Sequence, residues 1–278
     1  MLRTSLILAM SILTTGGAWA EKSATATTRT SSDQAAAETE SQQFARSRLM
    51  AMAGYLAHAE KFSVKMRAGY EVVQDSGQKI EFGDRRHIVV QRPNHVRIVE
   101  TVSHGGQSGM LFDGKNITMF DGDTGLYAQR PQPGDIDASV IHFVRDLKMR
   151  LPLAPLLMKR FADELQRRIQ DIEYVEHTDI LGKPAHHIAA RTKTTDFQVW
   201  ITDSKQPLPL RIVLNYPHQE GQPQFWANFY MWNLSPSFDK TTFQFRPPAD
   251  ARQIVFAAEL VPSGDPQATG TQNQGGKK

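Results

Sequence analysis

The feature that most constrains this chain is a change in the spacing of its apolar residues. From Phe62 to Ala128, and again from Ile172 to Trp232, apolar and polar residues alternate, which is typical of strands with one face toward a core. Between these runs, the segment Asp137–Ile169 repeats its apolar residues every three or four positions, as helices do. The sequence therefore predicts a mainly β (α+β) protein, with two sheet halves and a central helical insert that must bury its apolar side against the sheet.

The alternating runs predict antiparallel strands preceded by an N-terminal helix. Residues 41–58 carry apolar side chains at helical spacing, and the first strand alternates from Phe62 to Val72. The pairs Asp113-Gly114 and Asp121-Gly122 separate short apolar runs, and aspartate followed by glycine favours tight hairpins. We therefore expect about six strands before the insert, about five after it, and an edge strand within residues 243–256.

Two helices are predicted within the insert. Asp137 is placed to cap the first helix, Pro152 ends it, and a second, more basic helix follows. The apolar positions are Val140, Val144, Leu147 and Leu151 in the first helix, and Leu157, Phe161, Leu165 and Ile169 in the second.

Two strands of the second half carry apolar side chains on both faces. In one of them, Trp226, Tyr230 and Trp232 are expected to point one way, and Phe225, Phe229 and Met231 the other. In its neighbour, Trp200 points away from Val199 and Ile201. Because a strand that is apolar on both faces is covered on both, we expect the insert to form the second layer over these strands.

The two ends of the chain differ in composition from its centre. Residues 1–20 combine Arg3, an apolar run and Ala18-Trp19-Ala20, which together predict a signal peptide cleaved after Ala20. Residues 21–40 and 262–278 are polar and predict a disordered linker and tail, which leaves one domain over residues 41–261. Because the sequence contains no cysteine, a disulfide framework is excluded.

Several short motifs resemble a family of predicted bacterial periplasmic proteins of unknown function. The motifs are Arg92-Pro93, Phe112-Asp113-Gly114-Lys115, Leu151-Pro152-Leu153-Ala154-Pro155-Leu156-Leu157, Gly182 with His186-His187, Trp200-Ile201 and Leu208-Pro209-Leu210. That family is similar in architecture to the lipoprotein carriers of the LolA and LolB kind. The resemblance covers roughly residues 42–256 and implies an open antiparallel half-barrel of about eleven strands, whose concave apolar face is covered by helices. Carriers of this kind bind acyl chains or lipids under such a lid.

Patterns that would indicate catalysis or a metal site are weak in this sequence. His186 and His187 are adjacent in a predicted strand, so their side chains leave on opposite faces and cannot share one metal. Ser108 lacks the glycine spacing of a nucleophile elbow, and Asp121 and Asp123 lack the further ligands of a calcium loop. The net charge of +3 is too small to indicate nucleic-acid binding. We therefore expect no catalysis, no metal, no cofactor and no nucleic-acid partner.

Together these features predict a monomeric periplasmic binding or carrier protein. Its ligand is expected to be lipidic or amphipathic, such as lipoprotein acyl chains, held in an apolar groove under the insert, with the envelope membrane as a partner. The residues predicted to bind the ligand are Met119, Phe143, Leu147, Leu153, Leu157, Trp200, Trp226 and Tyr230.

Two alternatives remain open. One is an envelope peptide-binding or sensor module that uses the same face. The other is an envelope hydrolase that uses His87, His95 or His187 with a nearby carboxylate. The sequence also leaves open whether the insert is a fixed plug or a movable lid.

Overall fold

The computed structural model describes residues 38–259. The predicted signal peptide, residues 21–37 of the predicted linker, and the predicted tail from residue 262 lie outside the described residues. The helices are α1 (Glu40–His58), α2 (Ile136–Ile141) and α3 (Phe161–Arg168). The strands are β1 (Lys61–Val73), β2 (Lys79–Gln91), β3 (His95–Val102), β4 (Gln107–Phe112), β5 (Asn116–Asp121), β6 (Leu126–Pro131), β7 (Ile169–Ile180), β8 (Lys183–Thr192), β9 (Asp196–Thr202), β10 (Pro209–Asn215), β11 (Gln224–Asn233) and β12 (Arg252–Ile254).

All twelve strands form one open sheet in the order β12-β6-β5-β4-β3-β2-β1-β11-β10-β9-β8-β7. Each half is an antiparallel meander, and the two halves join where β1 pairs with β11. Among the strands of residues 38–259, only the three-residue strand β12 pairs in parallel, with β6. The predicted fold class is therefore confirmed, with one short strand more than the resemblance implied.

The strand order places the insert across the sheet. The insert begins after β6, beside one edge of the sheet, and ends at β7, which is the opposite edge. A chain that leaves one side of the sheet and returns at the other must cross one of its faces. This face, called the inner face here, carries the main core, which includes Phe62, Val96, Ile188 and Phe229.

Helix α1 covers a second part of the inner face. It begins at Glu40 with Thr39 as its cap, since the Thr39 hydroxyl accepts a hydrogen bond from the Gln42 amide. Leu49, Met52 and Leu56 are buried along one side of the helix. Burial of each such side chain stabilises the fold by about 1.5–3 kcal/mol. Among the described residues, no helix has the length and apolar character needed to cross a bilayer.

The outer face of the sheet has a small core of its own. Val89 and Leu111 are buried there against Phe243, which belongs to the segment that follows β11. Phe245 of the same segment stacks on Phe120, with ring centroids 5.8 Å apart. The insert thus packs on the inner face, as expected, and the C-terminal segment adds a partial layer over the outer face of β2, β4 and β5.

The first helix of the insert is shorter than predicted. Helix α2 ends at Ile141 and continues as one π-turn over His142–Asp146, in which the Leu147 amide donates to the His142 carbonyl oxygen at 3.0 Å. The wider turn changes the helical phase, so Val144 is 43% exposed rather than part of a buried stripe. Leu147 is buried as predicted, and the helical backbone stops there, well before Pro152.

Asp137 does not cap the first helix. Asp135 takes that position, because its carboxylate accepts the Ala138 amide at 2.8 Å. The Asp137 carboxylate instead accepts the backbone amides of Lys159 and Arg160, at 2.7 and 3.1 Å. Asp137 thus ties the first helix of the insert to the start of the last one.

The second predicted helix divides into two pieces. Leu157 ends a 3-10 turn over Ala154–Leu157, and α3 begins only at Phe161. Ile169 is already the first residue of β7. Leu157 and Phe161 are buried, so the predicted apolar positions still face the core although the backbone between them is not helical.

Strand β11 contains a bulge that sequence alternation does not show. Tyr230 pairs with Lys65 and Asn233 with Ser63, so β11 has one residue more than β1 over this interval. Met231, with φ of +54°, is the site of this irregularity. The bulge turns Trp232 to the inner face, where its ring stacks on Phe229 with centroids 5.7 Å apart. The predicted side for Trp232 is therefore wrong.

We expect Asp137→Ala to lower the free energy of unfolding by about 1–2 kcal/mol, because two backbone amides lose a charged acceptor. Urea denaturation followed by circular dichroism measures this change. Asp163→Ala is the matched control: Asp163 lies in the first turn of α3, and its carboxylate accepts no hydrogen bond from the described residues. Removal of the Asp163 carboxylate should lower the free energy of unfolding by about 0.5 kcal/mol, because it removes the interaction with the helix dipole alone. Equal losses would show that the Asp137 tie contributes nothing.

Candidate ligand-binding cleft

The largest cavity opens between the insert and the inner face of the sheet. It has a volume of about 650 Å³. Its walls are Tyr70, Glu71, Arg86, Glu100, Val144, Lys148, Met149, Arg150, Leu151, Pro152, Tyr216, Gln219, Pro223, Gln224 and Phe225. The cleft lies where the long β1–β2 hairpin extends past the part of the inner face that the insert covers.

At Tyr70, the wall of the cleft continues into an exposed apolar group on the β1–β2 hairpin, called the apolar rim here. Tyr70 and Val72 on β1 share the inner face with the buried residues of that strand, and the register places Tyr70 opposite Phe82 and Val72 opposite Ile80 on β2. These four side chains are 38–47% exposed, and the rings of Tyr70 and Phe82 stack with centroids 5.9 Å apart. Large apolar side chains grouped on a surface in this way are typical of binding sites.

Residues Lys148–Pro152, within the segment Lys148–Leu153, form most of the insert side of the cleft. Two non-glycine residues with positive φ bound it, Lys148 at +56° and Leu153 at +65°. Such residues cost roughly 1–3 kcal/mol each and often cluster at functional sites. The segment therefore stores backbone strain at the edge of the cavity.

Both ends of this segment are anchored. On one side, Phe143 and Leu147 are buried in the core. On the other, the Arg92 guanidinium donates to the carbonyl oxygens of Leu157 at 2.8 Å, Ala59 at 3.0 Å and Leu56 at 3.3 Å. Arg92 thus joins the insert to the end of α1. Most of the insert packs in the core, and Lys148–Leu153 spans the interval between the two anchored ends.

The floor of the cleft carries a buried ionic cluster. Arg86 donates two hydrogen bonds to the Asp84 carboxylate, each 2.8 Å long, and lies 3.3 Å from Glu100. Burial raises the pKa of Glu100 above its ordinary value, the Arg86 charge opposes the rise, and the Asp84 charge adds to it. Because Asp84 already holds Arg86 in a bidentate pair, this arginine is not free to bind an anion.

Two other cations border the opening. Lys148 and Arg150 are exposed, line the cleft, and form no ion pair or side-chain hydrogen bond within residues 38–259. Glu71, the acidic wall residue on β1, is paired with Lys79 at 3.1 Å. The opening therefore combines an apolar rim with unpaired positive charge.

Two smaller cavities continue under the insert. One, of about 20 Å³, shares Arg86, Leu151 and Pro152 with the main cleft. The other, of about 200 Å³, lies between the helices and β8–β10 and shares Leu153 and Leu156 with the first. The segment Lys148–Leu153 contributes walls to all three cavities.

The eight residues predicted to bind a ligand are divided between the two faces of the sheet. Met119, Phe143, Leu147, Leu153 and Leu157 pack in or against the inner core. Trp200, Trp226 and Tyr230 project from the outer face, where the Arg211 guanidinium lies 5.7 Å from the Trp200 ring and 5.4 Å from the Trp226 ring. None of the eight lines the largest cleft, and the predicted common groove is not formed. A ligand-binding role for them stays a prediction.

Sequence reasoning missed the residues that do line the cleft. The alternation through Tyr70 and Val72, and through Ile80 and Phe82, continues beyond the length that the insert can cover. The extra length of this alternating pattern was the sequence feature that could have indicated the cleft. Tyr216 and Arg150 gave none, because they lie in loops whose approach to the hairpin depends on the strand order.

The histidines considered for catalysis lie away from the cleft. His87 is exposed on the outer face, His95 packs on Phe243, and His187 stacks on Trp200 with ring centroids 4.0 Å apart. Burial lowers the pKa of His186, which lies on the opposite face from His187 and 3.3 Å from Asp203. Within residues 38–259, no group of three or more histidine and acidic side chains is arranged to hold a metal ion.

A protein-family model described as "Predicted periplasmic protein (DUF2092)" matches residues 45–257. The match confirms the family resemblance drawn from the sequence motifs, and with it the periplasmic location. No curated protein matches the sequence.

Several solved structures are similar to this chain at low sequence identity. An uncharacterized conserved protein from Thermus thermophilus has 9% identity and a TM-score of 0.44, and the match covers 75% of this chain and 98% of that one. The lipoprotein LppX of Mycobacterium tuberculosis has 11% identity and a TM-score of 0.44, covering 72% and 100%. A LolA superfamily protein from Nitrosomonas europaea has 11% identity and a TM-score of 0.39, covering 72% and 97%. These likenesses assign no ligand to the chain.

We expect Arg86→Gln to lower the free energy of unfolding by about 3–5 kcal/mol, since it leaves the buried Asp84 carboxylate without its partner. The double variant Asp84→Asn/Arg86→Gln replaces the ion pair with two amides that can hydrogen-bond to each other. The double variant should lose clearly less free energy of unfolding than the single variant does. Chemical denaturation of both variants measures the difference. A double variant as unstable as the single one would contradict the pairing described.

Glu100 predicts a dependence of stability on pH. The pKa of Glu100 is raised in the folded protein, so the folded state binds this proton more tightly than the unfolded state does. Protonation of Glu100 therefore stabilises the fold. This stabilisation is complete below the ordinary pKa of 4.5 and is lost as the pH rises through the folded pKa. Glu100→Gln should therefore raise the melting temperature at neutral pH and change it little at about pH 4. Scanning calorimetry tests this, with the exposed Glu81→Gln as control. A gain of the same size at both pH values would contradict it.

Proposed function

We propose that this chain, which belongs to the DUF2092 family of predicted periplasmic proteins, binds an anionic amphiphile in the cleft between the insert and the β1–β2 hairpin. The role is one of binding or carriage rather than catalysis. The acyl chain lies on the inner face, and the charged head lies at the opening, near Lys148 and Arg150. The observation that carries the proposal is the continuity of a 650 Å³ cleft with an exposed apolar rim and two unpaired cations.

The apolar part of the ligand is matched to the rim and the inner wall. Tyr70 and Phe82 offer stacked rings at the opening, and Phe225 and Leu151 continue the apolar wall inward. Each methylene group removed from water contributes about 0.8 kcal/mol to binding, so a chain of several methylenes needs few polar contacts. This explains why the site has little signature in residue types.

The polar part of the ligand is matched to the opening. Lys148 and Arg150 are free to pair with a carboxylate or a phosphate, whereas the deeper Arg86 is already held by Asp84. The head group therefore stays at the entrance, and the chain enters first. Movement of Lys148–Leu153 would extend the cleft toward the small cavity beneath Leu151 and Pro152 and so admit longer chains.

The second candidate is a peptide bound by strand addition. Strand β7 is an edge of the described sheet, and Val175 on it is 49% exposed. However, this strand carries four acidic residues, and its pairing with β8 is irregular at two places. Both features protect a sheet edge from pairing with another strand. The acidic residues are Asp171, Glu173, Glu176 and Asp179. The cleft is therefore the favoured site.

We expect Tyr70→Glu/Phe82→Glu to weaken binding of a dansylated fatty acid by at least about tenfold, because two carboxylates on the rim would have to be desolvated beside the chain. Fluorescence titration measures this. The matched control is Val175→Glu/Val255→Glu, which changes two similarly exposed side chains (49% and 53%) away from the cleft. This control should bind as the wild type does.

The head group is tested with the same protein. Lys148→Gln/Arg150→Gln should weaken binding of the fatty acid and leave binding of the corresponding uncharged alcohol unchanged. A folded wild-type protein that binds neither probe would contradict the proposal, and so would equal weakening by the rim variant and its control. Binding of an extended basic peptide with no competition from fatty acid would instead favour the edge strand β7.

A further inference from the structure

The outer face of the two central strands carries a row of positive charge. On β1, Lys65 and Arg67 alternate with the buried Met66 and so project outward, and on β2, Arg85 and His87 do the same. These four residues are called the basic stripe here, and all four are exposed. The stripe lies on the face opposite the cleft and is not used by the proposed ligand site.

The pairing within the basic stripe is unfavourable for the fold. The register places two like charges, Arg67 and Arg85, directly opposite each other, whereas Lys65 lies opposite His87, whose pKa is lowered. Side chains in such positions have Cβ atoms roughly 4.5–5.5 Å apart, and like charges at that distance destabilise a sheet. The stripe therefore persists at a cost in stability, which indicates a role outside folding.

Neighbouring residues do not neutralise the stripe. Within residues 38–259, Lys65, Arg67 and Arg85 form no ion pair and no side-chain hydrogen bond. Arg86, adjacent to Arg85 but on the inner face, is by contrast matched by two carboxylates. Burial lowers the pKa of His87, and the charges of Lys65 and Arg97 lower it further, as expected in a positive local field.

Aromatic side chains flank the stripe on the same face. Tyr230 lies opposite Lys65 in the register and is 36% exposed, and Trp226 lies opposite Gly69 further along the same strand pair. Arg211 extends from β10 between the rings of Trp200 and Trp226. Tyrosine and tryptophan favour the boundary between water and lipid, and lysine and arginine favour anionic headgroups.

We propose that the outer face docks on a membrane surface rich in anionic phospholipid, through the basic stripe and the flanking aromatic residues. The charge of the stripe is complementary to phosphate-bearing headgroups, and a periplasmic protein has membrane surfaces on both sides of its compartment. In this orientation the outer face contacts the headgroups, and the cleft on the inner face stays open to solvent. The docking does not depend on the proposed ligand of the cleft.

Vesicle co-sedimentation of the purified protein tests this inference. The vesicles are phosphatidylcholine alone or a mixture rich in phosphatidylglycerol, at low and at high salt. The wild type should sediment with the anionic vesicles at low salt, and should stay in solution with phosphatidylcholine or at high salt. Lys65→Gln/Arg67→Gln/Arg85→Gln should bind the anionic vesicles about a hundredfold more weakly.

The control variant removes the same charge elsewhere. Lys159→Gln/Lys183→Gln/Lys205→Gln also lowers the net charge by three, and these exposed lysines lie outside the stripe. This control should bind the anionic vesicles as the wild type does. The rim variant Tyr70→Glu/Phe82→Glu should also bind the vesicles, and this result would separate membrane docking from ligand binding in the cleft. The stripe variant should melt at the same temperature as the wild type or higher, since it relieves the repulsion between Arg67 and Arg85.

Three results would overturn the inference. They are a wild type that stays in solution with anionic vesicles at low salt, a wild type that binds both vesicle types equally, and a control variant that loses as much affinity as the stripe variant.

Discussion

The route of the chain between the two halves of the sheet determines most of this structure. Strand β6 lies beside one edge and β7 forms the other, so the residues between them must cross the whole inner face. A segment in that position is apolar because it covers an apolar sheet, and it is irregular because no single helix follows the route. The result is a core helix, a π-turn, a strained loop and a 3-10 turn in succession, held at fixed points by Asp137 and Arg92.

The insert has buried parts and one strained part. Phe143, Leu147 and Leu157 are buried in the core. Between these anchors, Lys148–Leu153 has two left-handed residues and borders three cavities, so a small displacement there changes how far the cleft extends. The β1–β2 hairpin reaches past the insert and leaves its apolar side chains exposed. Binding would therefore use the part of the inner face that the insert cannot cover.

The sequence predicted the fold better than the site. Alternation with a period of two located the twelve strands almost completely, because each strand has one buried face whose pattern is local. The insert was harder: the π-turn and the left-handed residues do not follow from periodicity, since they depend on the distance that the chain must span. The bulge at Met231 reverses the side of Trp232, and the alternation of apolar residues does not reveal it. The site residues Tyr216 and Arg150 meet the β1–β2 hairpin only through tertiary contacts, which no local pattern records.

The two faces of the sheet have different proposed roles, with an amphiphile in the inner cleft and anionic headgroups against the outer basic stripe. The central claim is that the inner cleft carries a ligand, and native mass spectrometry of protein purified from a periplasmic extract tests it most directly. The account predicts adducts with the masses of anionic amphiphiles, recovered by solvent extraction and strongly reduced in Tyr70→Glu/Phe82→Glu. A folded wild-type protein that carries no adduct, and takes up none when incubated with fatty acids, would contradict it.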